Sequence, residues 1–153
     1  ADFVEQFLGF RAPEGDFVDN AGRILGRHRG IHCYTIGQRK GLGLALGRPL
    51  FVNRLDPESN IVMVGDLEDL MKKGLLADQV NYISGHAPDR EIQASVKIRY
   101  SAPDKPAVLI PRGPNSAAIR FNTLQRAITP GQAVVFYQND RVLGGGTIHS
   151  VWE

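Results

Sequence analysis

Apolar and polar positions alternate most regularly from Glu91 to Tyr100, EIQASVKIRY. Ile92, Ala94, Val96, Ile98 and Tyr100 fall on one face, and Gln93, Ser95, Lys97 and Arg99 on the other. A repeat of two is the geometry of a strand with one face buried. AVLIP, SAAIRF, AVVFY and RVLGGGTI follow at short intervals, divided by Pro, Gly and Asn, with Gln138-Asn139-Asp140-Arg141 as a tight hairpin. Five or six short antiparallel strands in about 65 residues predict a small closed or nearly closed barrel. Gly144-Gly145-Gly146 would weaken any strand, so it predicts a bulge, a barrel corner or a close backbone contact.

Upstream, DFVD and RILGR around Asn20-Ala21-Gly22 predict a hairpin. Pro49 to Leu55 and Asn60 to Val64 predict two strands, with the turn chemistry of Asp56-Pro57-Glu58-Ser59 between them. Asp66 to Met71 suits a single helical turn stopped by Gly74, after which Leu75 to Ser84 resumes as an extended segment. Phe3, Phe7 and Leu8 at helical spacing behind Asp2 predict the end of a short helix, against the alternative of a frayed terminal tail. Gly85 to Asp89 is the expected domain boundary. The expected fold is therefore mainly β: a helical linker over 1–14, a small β-rich adaptor domain with short helices over 15–86, and an antiparallel barrel over 87–153.

Composition sharpens this picture in a few places. Seventeen glycines and nine prolines in 153 residues suit short strands and turns better than helices. No apolar run approaches eighteen residues and no basic-then-apolar stretch opens the sequence, so neither a membrane span nor a secretory signal is expected. ADFVEQFLGF begins without Met, so the chain reads as starting part-way through a longer protein. The single cysteine, Cys33, allows no internal disulfide and fits a reducing cytoplasm. The net charge of +2 hides a segregated block: residues 20–55 hold seven Lys or Arg and no Asp or Glu. A weak total with one basic block implies a local anion site.

Candidate chemistry centres on His28 to Gly47, HRGIHCYTIGQRKGLGLALG. Gly37, Gly41, Gly43 and Gly47 remove side chains where a backbone would approach a phosphate or sugar closely. Arg39 and Lys40 supply charge, Thr35 and Gln38 donate and accept, and Tyr34 offers a ring for stacking on an exposed base. The competing reading is an ordinary glycine-rich connection with solvated charges. Gly41-x-Gly43-x-x-x-Gly47 misses the dinucleotide fingerprint by one residue and lacks the surrounding βαβ unit. His28 and His32 are four apart, as in a helical metal pair, but no third ligand is near, so they read as surface or RNA-facing histidines. Cys33 lies in a basic region, which favours a thiolate, yet single cysteines beside apolar residues are usually packed and inert.

In the barrel, Lys97 and Arg99 line up along one strand face, against the reading of an ordinary solvated face. Tyr100 alternates inward, placing its ring in the core and its hydroxyl at the rim. Gln132, in the turn Thr129-Pro130-Gly131-Gln132, is free to bond outward. No ATP-binding loop, paired carboxylates, Ser/His/Asp arrangement or metal-ligand cluster occurs, so the chain shows no complete catalytic apparatus.

The motifs GRHRGIHCYTIGQRKGLG, KIRYS, TPGQAVVFY and LGGGTI resemble, in order and over nearly all of the chain, the C-terminal two-thirds of the tRNA-specific 2-thiouridylase family. That family is historically also labelled tRNA (5-methylaminomethyl-2-thiouridylate) methyltransferase. The resemblance implies a central adaptor domain followed by a barrel like those of translation factors. It implies a parent enzyme whose N-terminal domain adenylates the wobble uridine of the tRNA anticodon arm with ATP and magnesium. Sulfur would then arrive as a persulfide from a cysteine desulfurase or sulfur-carrier protein. Neither the ATP loop nor the catalytic cysteines match positions here, and Cys33 matches neither cysteine. Arg99, Tyr100 and Gln132 match tRNA-touching positions of the family. Thr35 to Gly43 matches the part of the central domain nearest the catalytic domain. The chain departs from the family at Leu44-Ala45-Leu46 and at Leu50. Two functions stay open at this level: a tRNA-binding portion, inactive alone, or a protein-interaction module that docks the catalytic domain or a sulfur carrier.

Overall fold

The computed structural model describes residues 13–153. The helix expected over 2–8, and all but the end of the linker expected over 1–14, lie outside the described residues. The chain divides into two compact units, Ala1–Leu70 and Met71–Glu153.

In the first unit, β1 (Gly15–Val18), β2 (Ile24–His28), β3 (Phe51–Asp56) and β4 (Ile61–Gly65) form one sheet in the order β2-β1-β4-β3. Both expected hairpins are present, β1–β2 around Asn20-Ala21-Gly22 and β3–β4 around Asp56 to Ser59. They are joined by a parallel pairing of β1 with β4, Phe17 opposite Val62. Asp19 shapes the first turn: its carboxylate accepts from the amides of Ala21 and Arg23, each at 2.9 Å. Phe17, Tyr34, Val52, Val62 and Val64 form the core. A single 3-10 turn at Glu68–Leu70 ends the unit and buries Leu70. Gly74 does not stop it, because Gly74 lies inside the next strand.

The second unit is a closed six-stranded barrel, in the order β10-β5-β8-β7-β6-β9. Its strands are β5 (Met71–Tyr82), β6 (Ile92–Lys97), β7 (Lys105–Pro111), β8 (Ala117–Arg126), β9 (Ala133–Gln138) and β10 (Arg141–Trp152). Every neighbouring pair is antiparallel. Leu75, Val96, Leu109, Ile119, Phe121 and Phe136 fill the interior. β5 pairs with both β8 and β10, so the boundary expected at Gly85–Asp89 falls inside the barrel, between β5 and β6. The compact units part between Leu70 and Met71 instead.

The triple glycine of β10 combines two of its expected roles. The ladder shifts register on either side of it, and a Cβ at Gly144, Gly145 or Gly146 would run into the backbone carbonyl of Asn81, Val134 or Asp78 respectively. Alternation in β6 also holds as far as its ladder: Ala94, Val96 and Ile98 are buried. It fails at Tyr100. Pairing with β9 ends at Lys97 opposite Val135, and the chain then turns, with the Ala102 amide donating to the Arg99 carbonyl at 3.3 Å. Released from the ladder, Tyr100 is 99% exposed instead of lying in the core.

Candidate functional site

The glycine-rich stretch of the first unit is a braced loop. Its amide at Gly37 donates to the Val52 carbonyl at 2.7 Å, and the Val52 amide donates to the Gln38 carbonyl at 2.9 Å, so β3 clamps its middle. Gly37, Gly41, Gly43 and Gly47 all have positive φ, between 70° and 89°, a region in which side-chain-bearing residues are strained. Gln38 is committed to this brace. Its Oε1 accepts from the Thr35 amide at 3.1 Å, and its Nε2 donates to the Lys40 carbonyl at 3.0 Å. Its amide therefore organises the loop rather than standing ready for an external partner.

Arg39 and Lys40 project from the braced loop, exposed and without an ion pair among the described residues. The rest of the basic block is partly neutralised by acids outside it. Arg23 pairs with Asp19 at 2.7 Å, Arg27 with Asp16 at 3.1 Å and Arg48 with Asp66 at 2.6 Å. Arg39, Gly41, Gly43 and Arg48 line a shallow groove of about 450 Å³ that also takes in Pro49 and Leu50. Leu42 and Leu50 are buried, and Leu44 packs on the core and over Gly26, so the departure at Leu44 anchors the tail of the loop. Leu46 remains exposed.

Two residues expected at the surface are core. Tyr34 is 6% exposed, with its ring edge-on to Phe17 at 5.1 Å between centroids. His28 is 1% exposed, packed edge-on against both Phe17 and Tyr34. The Gly30 amide donates to His28 Nδ1 at 3.1 Å, which leaves the proton on Nε2, 3.1 Å from the Asn60 carbonyl it donates to. His32 is exposed, its Nε2 3.5 Å from Cys33 Sγ, so the two histidines do not converge. Cys33 itself is half-buried against the core of the unit. No group of three His, Cys, Asp or Glu side chains that could hold a metal occurs among the described residues.

In the barrel, four expected positions converge. The register of β6 with β9, Lys97 opposite Val135, brings the chain after Lys97 beside the chain before Ala133. Lys97, Arg99, Tyr100 and Gln132 therefore share one rim. The Arg99 guanidinium donates to the Ala127 carbonyl at 2.5 Å, tying the β6–β7 turn to the β8–β9 connection. The Gln132 backbone is held by β10: the Ile148 amide donates to its carbonyl at 2.8 Å, while its side chain is exposed. Lys97 Nζ stands 5.6 Å from the centroid of the Tyr100 ring, a cation–π spacing. Lys105, opposite Val96, adds an exposed cation at this rim. In the sequence it is visible only as a charge two residues before AVLIP.

A further site has no counterpart among the sequence candidates. On the outer face of the barrel, Arg112, Arg120 and Trp152 line a groove of about 670 Å³ with Leu76 and Ile110. Arg120 faces out because Ile119 and Phe121 face in, a signal present in SAAIRF. Its nearness to Trp152 depends on strand pairing and is not readable along the chain.

Two domain families match. One, described as a tRNA methyl transferase PRC-barrel domain, covers residues 1–66, and the other, an aminomethyltransferase beta-barrel domain, covers residues 72–148. The chain is 50% identical over 150 residues to a tRNA-specific 2-thiouridylase MnmA of Moorella thermoacetica, covering 98% of this chain and 42% of that protein. Its counterpart in Clostridioides difficile is 48% identical over 148 residues, 97% of this chain and 41% of that protein. One from Synechococcus sp. is 46% identical over 147 residues, 96% and 39% respectively. The chain thus spans about two-fifths of the length of these relatives.

Proposed function

Because the chain belongs to the tRNA-specific 2-thiouridylase family, we propose that it is the tRNA-holding portion of a tRNA-uridine 2-sulfurtransferase. In this reading it grips the anticodon arm while the chemistry happens elsewhere in the whole protein. The same reading assigns adenylation with ATP and magnesium, and sulfur delivery from a persulfide donor, to a part of the whole protein other than this chain. Its setting is the cytoplasm.

The observation that carries the reading is the barrel rim. Lys97 Nζ stands 5.6 Å from the centroid of the exposed Tyr100 ring, and Arg99, Lys105 and Gln132 belong to the same rim by backbone register. Cations fix a phosphate backbone and an exposed aromatic ring stacks on an unpaired base. Arg39 and Lys40 offer a second cationic point on the first unit, on a loop stiff enough to hold a backbone without first being ordered.

Binding of purified tRNA at ~50 and ~200 mM salt tests this, since several phosphate contacts imply a loss of orders of magnitude in affinity over that range. Salt-insensitive binding, or none at the lower salt, would overturn it. Charge reversal at Arg99 separates tRNA holding from the docking of a protein partner: the first loses tRNA, the second loses the partner alone.

A further inference from the structure

We propose that the groove lined by Arg112, Arg120 and Trp152 on the outer face of the barrel is a second, separate RNA-backbone site. It rests on the reading of the chain as a tRNA-holding module but uses none of the residues that carry that reading.

The groove is built by strand pairing. β5 places Gly74 opposite both Arg120 of β8 and Trp152 of β10. Gly74 has no side chain, and the indole of Trp152 occupies the space a Cβ would need. The indole therefore lies on the sheet beside Arg120, as an aromatic wall. Arg112 stands at the opposite end on a tightened turn: its amide donates to the Ser116 carbonyl at 3.0 Å, and Ser116 Oγ donates back to the Arg112 carbonyl at 2.8 Å.

The charges select the occupant. Neither guanidinium has an ion pair among the described residues, and no acidic residue lines the groove. This contrasts with the basic block of the first unit, where Arg23, Arg27 and Arg48 are each matched to an aspartate. Two unpaired planar forks above an apolar floor suit phosphodiester oxygens. Trp152, Leu76 and Ile110 suit the less polar faces of the ribose or base between them. A peptide would satisfy the arginines only by carrying carboxylates.

Trp152 is the single tryptophan of the chain, so its fluorescence reports on this groove alone. The experiment titrates the 153-residue chain with a tRNA transcript, and separately with polyglutamate, following Trp152 emission and binding together. Arg112→Glu, Arg120→Glu and Arg99→Glu are compared under the same conditions. Emission is expected to change with tRNA and saturate with the binding curve. Each groove reversal should weaken tRNA binding by about tenfold and flatten the log–log salt slope by about one. Far-ultraviolet circular dichroism checks that each variant is folded. Three results overturn the proposal. In the first, Arg99→Glu weakens binding while both groove reversals bind tRNA as the parent chain does and Trp152 emission is silent, which leaves the tRNA-holding function standing. In the second, polyglutamate alone moves the emission, which makes the groove a protein-docking site. In the third, no form binds tRNA, and the parent reading falls with it.

Discussion

Arg99 and Ala127 are tied by one hydrogen bond, Nη2 donating to a carbonyl whose residue is 1% exposed and holds a φ of 51°. Thr129 Oγ1, at 3.2 Å, is the other donor to that carbonyl. Arg99 thus has a structural duty besides any it has toward RNA. Arg99→Ala is expected to cost about 1.5–3 kcal/mol of folding stability, the net worth of a hydrogen bond from a charged donor, with Thr129 still donating to the carbonyl. Urea unfolding of the purified chain measures it, and an unchanged midpoint would show that the bond is idle.

Tyr100 has no such duty. At 99% exposure, its replacement by Ala should leave stability within about 0.5 kcal/mol, as for surface sites generally. Its effect on RNA affinity should be about 1–3 kcal/mol, the worth of one aromatic–base stack. A drop in binding with an unmoved melting curve separates recognition from folding more cleanly here than at Arg99.

His28→Phe keeps the ring packing against Phe17 and Tyr34 but removes the partners of the Gly30 amide and the Asn60 carbonyl. The expected loss is about 1–3 kcal/mol for each group left unsatisfied. It should appear as a lower urea midpoint with an unchanged slope. A surface histidine would show no change.

Gly74→Ala drives a methyl into the indole of Trp152 and the carbonyl of Ile119. Backbone cannot yield as a side chain can, so a loss of about 1–3 kcal/mol or more follows from overpacking. Because the chain has a single tryptophan, displacement of the indole would also change native-state emission.

The Asp19 carboxyl is held below the ordinary aspartate value, chiefly by the hydrogen bond from the Arg23 amide, with burial opposing. A depressed folded pKa adds stability above the unfolded pKa and loses it as pH falls through the folded one. Melting temperatures of the parent chain and Asp19→Asn should therefore differ at neutral pH and draw together as pH drops below the ordinary carboxylate range. A gap that stays constant to low pH would remove the charge from the account.

The strands of both units were legible because each has a half-buried face and is punctuated by Pro, Gly or Asn. What alternation does not carry is partnership. Leu75 to Ser84 reads as a strand either way, and only its ladders with β8 and β10 put it in the barrel and move the boundary to Leu70. Alternation misplaces Tyr100 because it has meaning only while a ladder lasts, and pairing with β9 stops at Lys97. His28, Tyr34 and Gln38 look alike in sequence as polar or amphipathic members of a basic loop. Their commitments are to the Gly30 amide, Phe17 and the Lys40 carbonyl, and such pairings leave no mark in composition. The groove of Arg120 and Trp152 was hidden for a related reason: its walls come from β8 and β10 and meet across β5.

The pairing of Gly74 with Trp152 also sets the order in which the molecule can be made. A barrel sealed by its first and last strands keeps two bare edges until translation has passed residue 152. The small sheet upstream has every strand in hand by Gly65. On the ribosome the first unit can therefore finish while the second waits, its open edges exposed to pairing with other nascent chains. Loss of β10 would prolong that exposure indefinitely, making solubility during synthesis the property most sensitive to that strand.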